Sequence, residues 1–350
     1  MDVVIKEVGN RQDLDAFIRF PLQLYRGNPY YVPAMFPDEQ NTLRRDRNPA
    51  FEYCQSRYFL AFQAGRLVGR VAAIVNHRHM DKWGQKYLRF GWFDFIDDLQ
   101  VSAALLDPVE SWARQLGMQA VHGPLGFTDL DREGMLIEGF DQVATLATLY
   151  NHPYYPRHMQ AHGYGKDIDW VEYEIQVPPI PDPTISRIAD LSLRRYKLHL
   201  AEPRSKAELL TYAGGIFELL EEAYAHLYGT VPLTRRQVDS YIKQYFSFIR
   251  PEFVPIVLDE KNKLIAFGVV LPSLSSALQK SRGFLFPFGF IHLLKALRTF
   301  HKFDMYLVAV SSTYQNKGVN AILLDRMNRV FSRLGVQVVE SNPELETNAD

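Results

Sequence analysis

Hydrophobic and polar positions alternate or recur along this chain in two repeated sets. Tyr58–Gln63 is an apolar run with aromatic character, Ala64–Arg66 is a glycine turn, and Leu67–Val75 returns, which together predict a β-hairpin. A second hairpin is predicted from Phe253–Leu258, the turn Asp259–Lys263 and Leu264–Leu271. Ile216, Leu219, Leu220, Ala223, Tyr224 and Leu227 recur at helical spacing, as do Leu323, Met327, Val330, Phe331 and Leu334, so each group predicts one buried helix face. Leu88–Ile96, Asp304–Val310, Gln337–Glu340 and Trp170–Ile175 read as further strands. Leu116-Gly117-Met118-Gln119-Ala120-Val121 echoes Leu334-Gly335-Val336-Gln337-Val338-Val339, each joining a helix to a strand. With the two hairpins, this echo points to an internal duplication.

The stretch Gln176–Thr184 holds prolines at 178, 179, 181 and 183, which neither a helix interior nor a central strand accepts. It divides the 350 residues into a domain over 1–177, a linker over 178–190 and a domain over 191–350. Strands and helices mix in both halves, so the fold class is α/β (α+β), with helices covering a sheet.

Lys plus Arg total 39 and Asp plus Glu 40, a net charge of −1 that argues against a nucleic-acid partner. One cysteine, Cys54, excludes an intrachain disulfide and a cysteine metal cluster. It fits a reducing cytoplasm, and the first residues lack the pattern of a secretion signal. His77 and His79, read on a strand, would share a face, but no third ligand lies near and no metal is expected. G-x-S-x-G and H-E-x-x-H are absent.

Chemistry concentrates after Asp304–Val310. There the chain enters Ser311-Ser312-Thr313-Tyr314-Gln315-Asn316-Lys317-Gly318-Val319-Asn320-Ala321 and leaves on an amphipathic helix. The first turn of such a helix offers unpaired N–H groups and a positive dipole end, which suit a phosphate. Gly318 permits close backbone approach and Lys317 adds charge. The loop is neither a P-loop nor a dinucleotide fingerprint. It resembles the acetyl-CoA loop of the GNAT acyltransferase superfamily, [QR]-x-x-G-x-[GA], through Gln315, Gly318 and, in place of Gly or Ala, Asn320.

That resemblance implies two GNAT-like domains, each a mixed, mostly antiparallel sheet covered by helices. It implies acetyl-CoA or a longer acyl-CoA as co-substrate on Val308, Ala309, Val310, Gln315, Asn316, Lys317, Gly318, Val319, Asn320 and Ala321. It further implies transfer of the acyl group to an amine without a covalent enzyme intermediate, and a next helix opening at Asn348. Glu340 is the candidate base and Tyr306 the second catalytic candidate. In the first half the corresponding place holds Asp97 and Asp98 and no glycine, so that copy is expected not to bind CoA; the resemblance implies that such a degenerate copy shapes the acceptor site. The polar loop Gly126–Gly134 offers Asp129, Asp131 and Glu133 to an amine substrate or, equally, to a solvated turn.

Phe284, Phe286, Phe288 and Phe290, followed by Lys295, Arg298 and Lys302, allow peripheral contact with the inner membrane face, an acyl-chain tunnel or a buried helix. The expected function is an acyl-CoA-dependent N-acyltransferase with a small-molecule or lipid amine as acceptor. A non-catalytic acyl-CoA or lipid-binding protein and a Fem-like aminoacyl transferase are the alternatives.

Overall fold

The computed structural model describes residues 2–246 and 249–347, which form two compact units. The first unit comprises 1–169, 229–231 and 275–293, and the second 170–228, 232–274 and 294–350.

In chain order the elements are β1 (Val3–Glu7), α1 (Arg11–Leu24), α2 (Phe36–Leu43), β2 (Cys54–Gln63), β3 (Arg66–Asn76), α3 (His77–Trp83), β4 (Tyr87–Phe95), α4 (Leu99–Gln115), β5 (Ala120–His122) and α5 (Tyr155–Ala161). There follow β6 (Trp170–Val171), β7 (Glu174–Gln176), α6 (Pro183–Arg195), β8 (His199–Ala201), α7 (Lys206–Tyr224), α8 (Arg235–Tyr245), β9 (Ile256–Leu258), β10 (Leu264–Pro272), α9 (Ser275–Ser281), α10 (Gly289–Ala296), β11 (Lys302–Val310), α11 (Val319–Leu334), β12 (Val338–Ser341) and β13 (Glu344–Leu345).

The first unit carries a five-stranded sheet in the order β1-β2-β3-β4-β5, antiparallel except for the β4–β5 pair. Side chains alternate across it with period two. Val71, Ala73 and Val75 join Leu105 and Val109 of α4, while Ala72 and Ile74 join Phe17 of α1. The second unit carries a six-stranded sheet, β7-β12-β11-β10-β9-β8, in which only β11–β12 is parallel. Ile256 and Phe267 pack under α7, and Val257 and Ala266 face α6 and α11 on the other side. Ile256, Phe267 and Val257 each contribute roughly 1.5–3 kcal/mol when fully buried. Gly117 and Gly335, the glycines of the repeated motif, both end their helices in the left-handed region, at φ 63° and 70°.

Several expectations need correction. Phe253 and Val254 are not in a strand, because Pro251 opens a 3-10 turn over Pro251–Phe253 and β9 begins only after Pro255. Trp170–Ile175 is broken into β6 and β7, which pair with different strands, β13 and β12. Both lie in the second unit, so the division falls at Asp169 rather than 177. More than half of the proline-rich linker is helix, since α6 begins at Pro183. Asp182 caps α6 by accepting from Thr184 N at 2.6 Å, and Pro183 sits in the first turn, where its missing N–H costs nothing. His77 and His79 open helix α3 instead of extending a strand, because the Asn76 side chain accepts from His79 N at 2.9 Å. The helix expected from Asn348 lies outside the described residues; the free edge of β12 is covered by β7.

Candidate functional site

In the second unit, β10 and β11 pair in register until Val269 opposite Leu307 and then resume at Val270 opposite Met305, which leaves Tyr306 as the extra residue of a bulge. The parallel pairing of β11 with β12 ends at Met305 opposite Ser341. The two strands therefore fork at Tyr306, where Asn342 Nδ2 donates to Tyr306 O at 2.9 Å. Beyond the fork, Ala309 and Val310 are buried on opposite faces of the sheet, and Val308 is exposed. The Tyr224 hydroxyl of α7 donates to Val308 O at 3.0 Å and fixes this stretch of backbone.

The loop turns sharply into α11. Asn316 at φ 58° and Gly318 at φ 73° both adopt left-handed conformations, and no side chain caps the helix. Left-handed residues beside a helix start turn successive N–H groups into one concavity, a geometry that suits anions. Gly318 is required on a second count, since a Cβ there would lie 2.5 Å from Ser192 Oγ and 3.0 Å from Ile188 Cγ2 of α6. Ser192 Oγ also donates to Lys317 O at 2.9 Å. Lys317 Nζ donates to Thr313 O at 2.6 Å and lies over the rings of Tyr314 and Tyr196. Gln315 precedes this turn, Val319 is buried, Ala321 is half-buried and Asn320 is exposed on the first turn of α11. Glu222 of α7 accepts from Ser311 Oγ at 2.8 Å and from Ser312 N at 3.3 Å, holding the start of the loop.

Asp304 and Glu340 face each other across the parallel β11–β12 pair. Asp304 is fully buried, and its carboxyl is pushed up to about 7, chiefly by burial and further by the Glu340 charge, against the pull of Ser273 and Lys302. Glu340 forms an ion pair with Lys302 at 2.5 Å. Tyr306 is half-buried and packs against the α7 core.

The first unit repeats the strand, loop and helix but fills the space. Its β3–β4 ladder shifts between Arg70 and Ala72, and Trp92 sits at φ 45°. The fork between β4 and β5 is occupied by the chain itself, since Leu125 N donates to Phe90 O at 2.7 Å. A Cβ on Gly91 would lie 2.4 Å from Leu125 O. Asp98 caps α4 by accepting from Gln100 N at 2.8 Å, and Asp97 receives His158 Nε2 at 2.8 Å.

Of the acids in the polar loop, Asp131 accepts from Phe127 N (2.8 Å) and Thr128 N (3.2 Å), and burial lifts its carboxyl to about 6. Burial also raises Asp129, and it raises Glu133 well above the usual carboxylate range, with Asp129 adding to the effect and Arg89 opposing it. Arg89 is 1% exposed and donates to Gly126 O (3.1 Å) and Gly229 O (2.7 Å). Its contact with His79 Nδ1 at 3.0 Å makes that nitrogen an acceptor, because arginine can only donate. Burial and then Arg89 hold His79 near 4 and His122 near 3, so both rings are neutral at pH 7. Asp131 also lines a cleft of about 90 Å³ with Tyr25, Tyr31, Arg70, Asp94 and Arg132. On its floor Arg70 pairs with Asp94 at 2.7 Å and Tyr25 donates to Asp94 Oδ1 at 2.8 Å. Among the described residues, no three His, Cys, Asp or Glu side chains are grouped to hold a metal.

The forked parallel pair, the bulged central strand and the repeated order define a tandem GNAT fold. Among solved structures, a tandem GNAT protein from the clavulanic acid biosynthesis pathway matches with a TM-score of 0.52 and 14% identity, over 99% of this chain and 91% of that one. A GCN5-related N-acetyltransferase from Sphaerobacter thermophilus matches with a TM-score of 0.51 and 13% identity, over 99% of this chain and 89% of that one. In sequence, the chain is 28% identical over 346 residues to Protein YghO of Escherichia coli (strain K12), covering 97% of this chain and 87% of that protein. It is 25% identical over 312 residues to the bacterial ceramide synthase of Caulobacter vibrioides, covering 85% and 77%. No family model matches.

Proposed function

We propose that this chain is an acyl-CoA-dependent N-acyltransferase whose acceptor is a long-chain or lipid amine. The observation that carries the reading is the fork at Tyr306 running into an uncapped, glycine-started α11. In this reading the CoA pyrophosphate rests on N–H groups from Gln315 to Ala321, with Lys317 beside it. The pantetheine arm lies along Val308–Val310, and a backbone N–H of that stretch polarises the thioester carbonyl. The amine nitrogen attacks the carbonyl carbon and passes its proton to a base, for which Glu340 is our candidate. The tetrahedral intermediate then expels the CoA thiolate, which takes a proton from an acid, for which Tyr306 is our candidate. Asp129 and Glu133 are the candidate acceptor-side acids, and Asp131 is the weaker one because its own loop engages it. The ceramide synthase relative supports an amine carrying a long chain.

Calorimetric titration with CoA, acetyl-CoA and a long-chain acyl-CoA tests this reading. Saturable heat with a preference for long chains is expected, and release of free CoA thiol when an amine is added. Absence of binding to all three contradicts it. A second reading, non-catalytic acyl-CoA or lipid binding, draws support from the Lys302–Glu340 pair and the full burial of Asp304, which leave both acids engaged or enclosed. Binding without thiol release would favour it.

A further inference from the structure

The segment between α9 and α10 exposes large apolar side chains in one run. Phe286 is 80% exposed, Phe288 70%, Phe290 40% and Ile291 51%, and Leu294 on the same helix is 51% exposed. This overturns the buried-helix expectation for the segment. No helix among the described residues is long and apolar enough to cross a membrane.

The exposure comes from a loop that is held firmly. Phe36 N donates to Gly283 O and Phe290 N to Leu285 O, both at 2.8 Å. The Phe284 ring packs on Phe36 at 4.9 Å, and the Arg19 guanidinium lies 4.7 Å from each ring. Gly289 comes so close to the Phe284 carbonyl that a Cβ would lie 1.7 Å from it. Phe284 is thus the anchor, while Phe286, Phe288 and Phe290 are presented outward with little ordering left to do on binding.

The flanks have one sign of charge. Lys280 and Arg282 before the loop and Lys295 on α10 itself are exposed, and no Asp or Glu occurs between Glu260 and Asp304 in a chain whose net charge is −1. An apolar tip flanked by cations suits the headgroup region of an anionic bilayer, where rings bury in the acyl boundary and lysines meet lipid phosphates. A second copy of the chain fits worse, because a self-complementary contact would set the same basic flanks against each other.

We infer that the first unit docks on anionic membranes through Phe286, Phe288 and Phe290. The base of the loop, Phe36 and Arg282, also lines the cleft over Arg70 and Asp94, so the docked loop borders that cleft. The inference does not rest on the acyltransferase reading, because it is read without CoA or turnover.

Sedimentation with vesicles of phosphatidylcholine alone, and of two parts phosphatidylcholine to one part phosphatidylglycerol, tests it. Wild type should bind the anionic vesicles and release in high salt. Phe286→Ser/Phe288→Ser, with thermal unfolding unchanged, should weaken that binding by roughly tenfold or more. Lys280→Glu/Lys295→Glu should weaken it on anionic vesicles only. Failure of wild type to bind, equal binding by the serine variant, or a dimer in sedimentation velocity that the serine variant abolishes would overturn the inference.

Discussion

The N-termini of α4 and α11 follow the same strand and the same kind of bulge, yet they end differently. At α4 the chain supplies its own anion, Asp98, and its own filler, Leu125, which bonds into the β4–β5 fork at Phe90. At α11 a left-handed glycine starts the helix without a side-chain cap, and the β11–β12 fork is bridged at its root by Asn342. Under the proposed function, the contrast teaches that a duplicated ligand site turns structural by satisfying internally the groups a ligand would satisfy. The Asp98 carboxylate meets an orphan N–H at the start of α4, and backbone at Leu125 fills the space that the proposed function gives to pantetheine at the other fork.

The largest effect expected from this contrast belongs to Asp304, at the root of the open fork. Its carboxyl is raised to about 7 in the fold, so between the ordinary carboxylate value and that point the native chain holds a proton the unfolded chain has released. The group therefore favours folding at acid pH, and its contribution is lost as pH rises through that window. Between about pH 5 and 8 the loss is about 2.5 kcal/mol. Denaturant unfolding of Asp304→Asn should lack this slope, and an unchanged slope would mean the carboxyl is not enclosed at the fork.

Next comes Gly91→Ala, whose Cβ would collide with Leu125 O. It should cost about 2 kcal/mol of stability by thermal or chemical unfolding, as overpacking of a filled site does. A neutral outcome would show that the first fork is not sealed there. Smallest is Asp98→Ala, which removes the cap of α4 and should cost about 1 kcal/mol. It should not create CoA binding, because Leu125 still fills the fork; any CoA affinity gained would break the contrast.

Much of the fold was legible because apolar runs and period-3.6 patterns survive in single segments, as in Leu67–Val75 and Ile216–Tyr224, although the helix stops short of Leu227. The loop was legible because Gln315, Lys317 and Gly318 sit together in sequence. Its supports were not. Ser192, Glu222, Tyr224 and Asn342 reach it from other elements, and Tyr224 read only as part of an apolar face. Asp304 was visible on its strand, but its carboxyl is raised first by burial and then by Glu340 across the sheet register, neither of which a local pattern encodes. Arg89 was likewise unreadable, since its partners Gly126 and Gly229 lie far apart in the chain. Two prolines account for misplaced bounds for local reasons: Pro183, read as linker, suits a helix start, and Pro255, passed over in reading Phe253–Leu258 as a strand, delays that strand to Ile256.

The central claim is that acyl-CoA binds at the start of α11, and calorimetric titration of wild type beside Gly318→Glu with a long-chain acyl-CoA tests it most directly. Glu at 318 would add a charge against the pyrophosphate and a Cβ against Ser192. The account predicts saturable binding for wild type and a loss of roughly a hundredfold or more for the variant, with the first unit's unfolding unchanged. Equal binding by the two chains would contradict it.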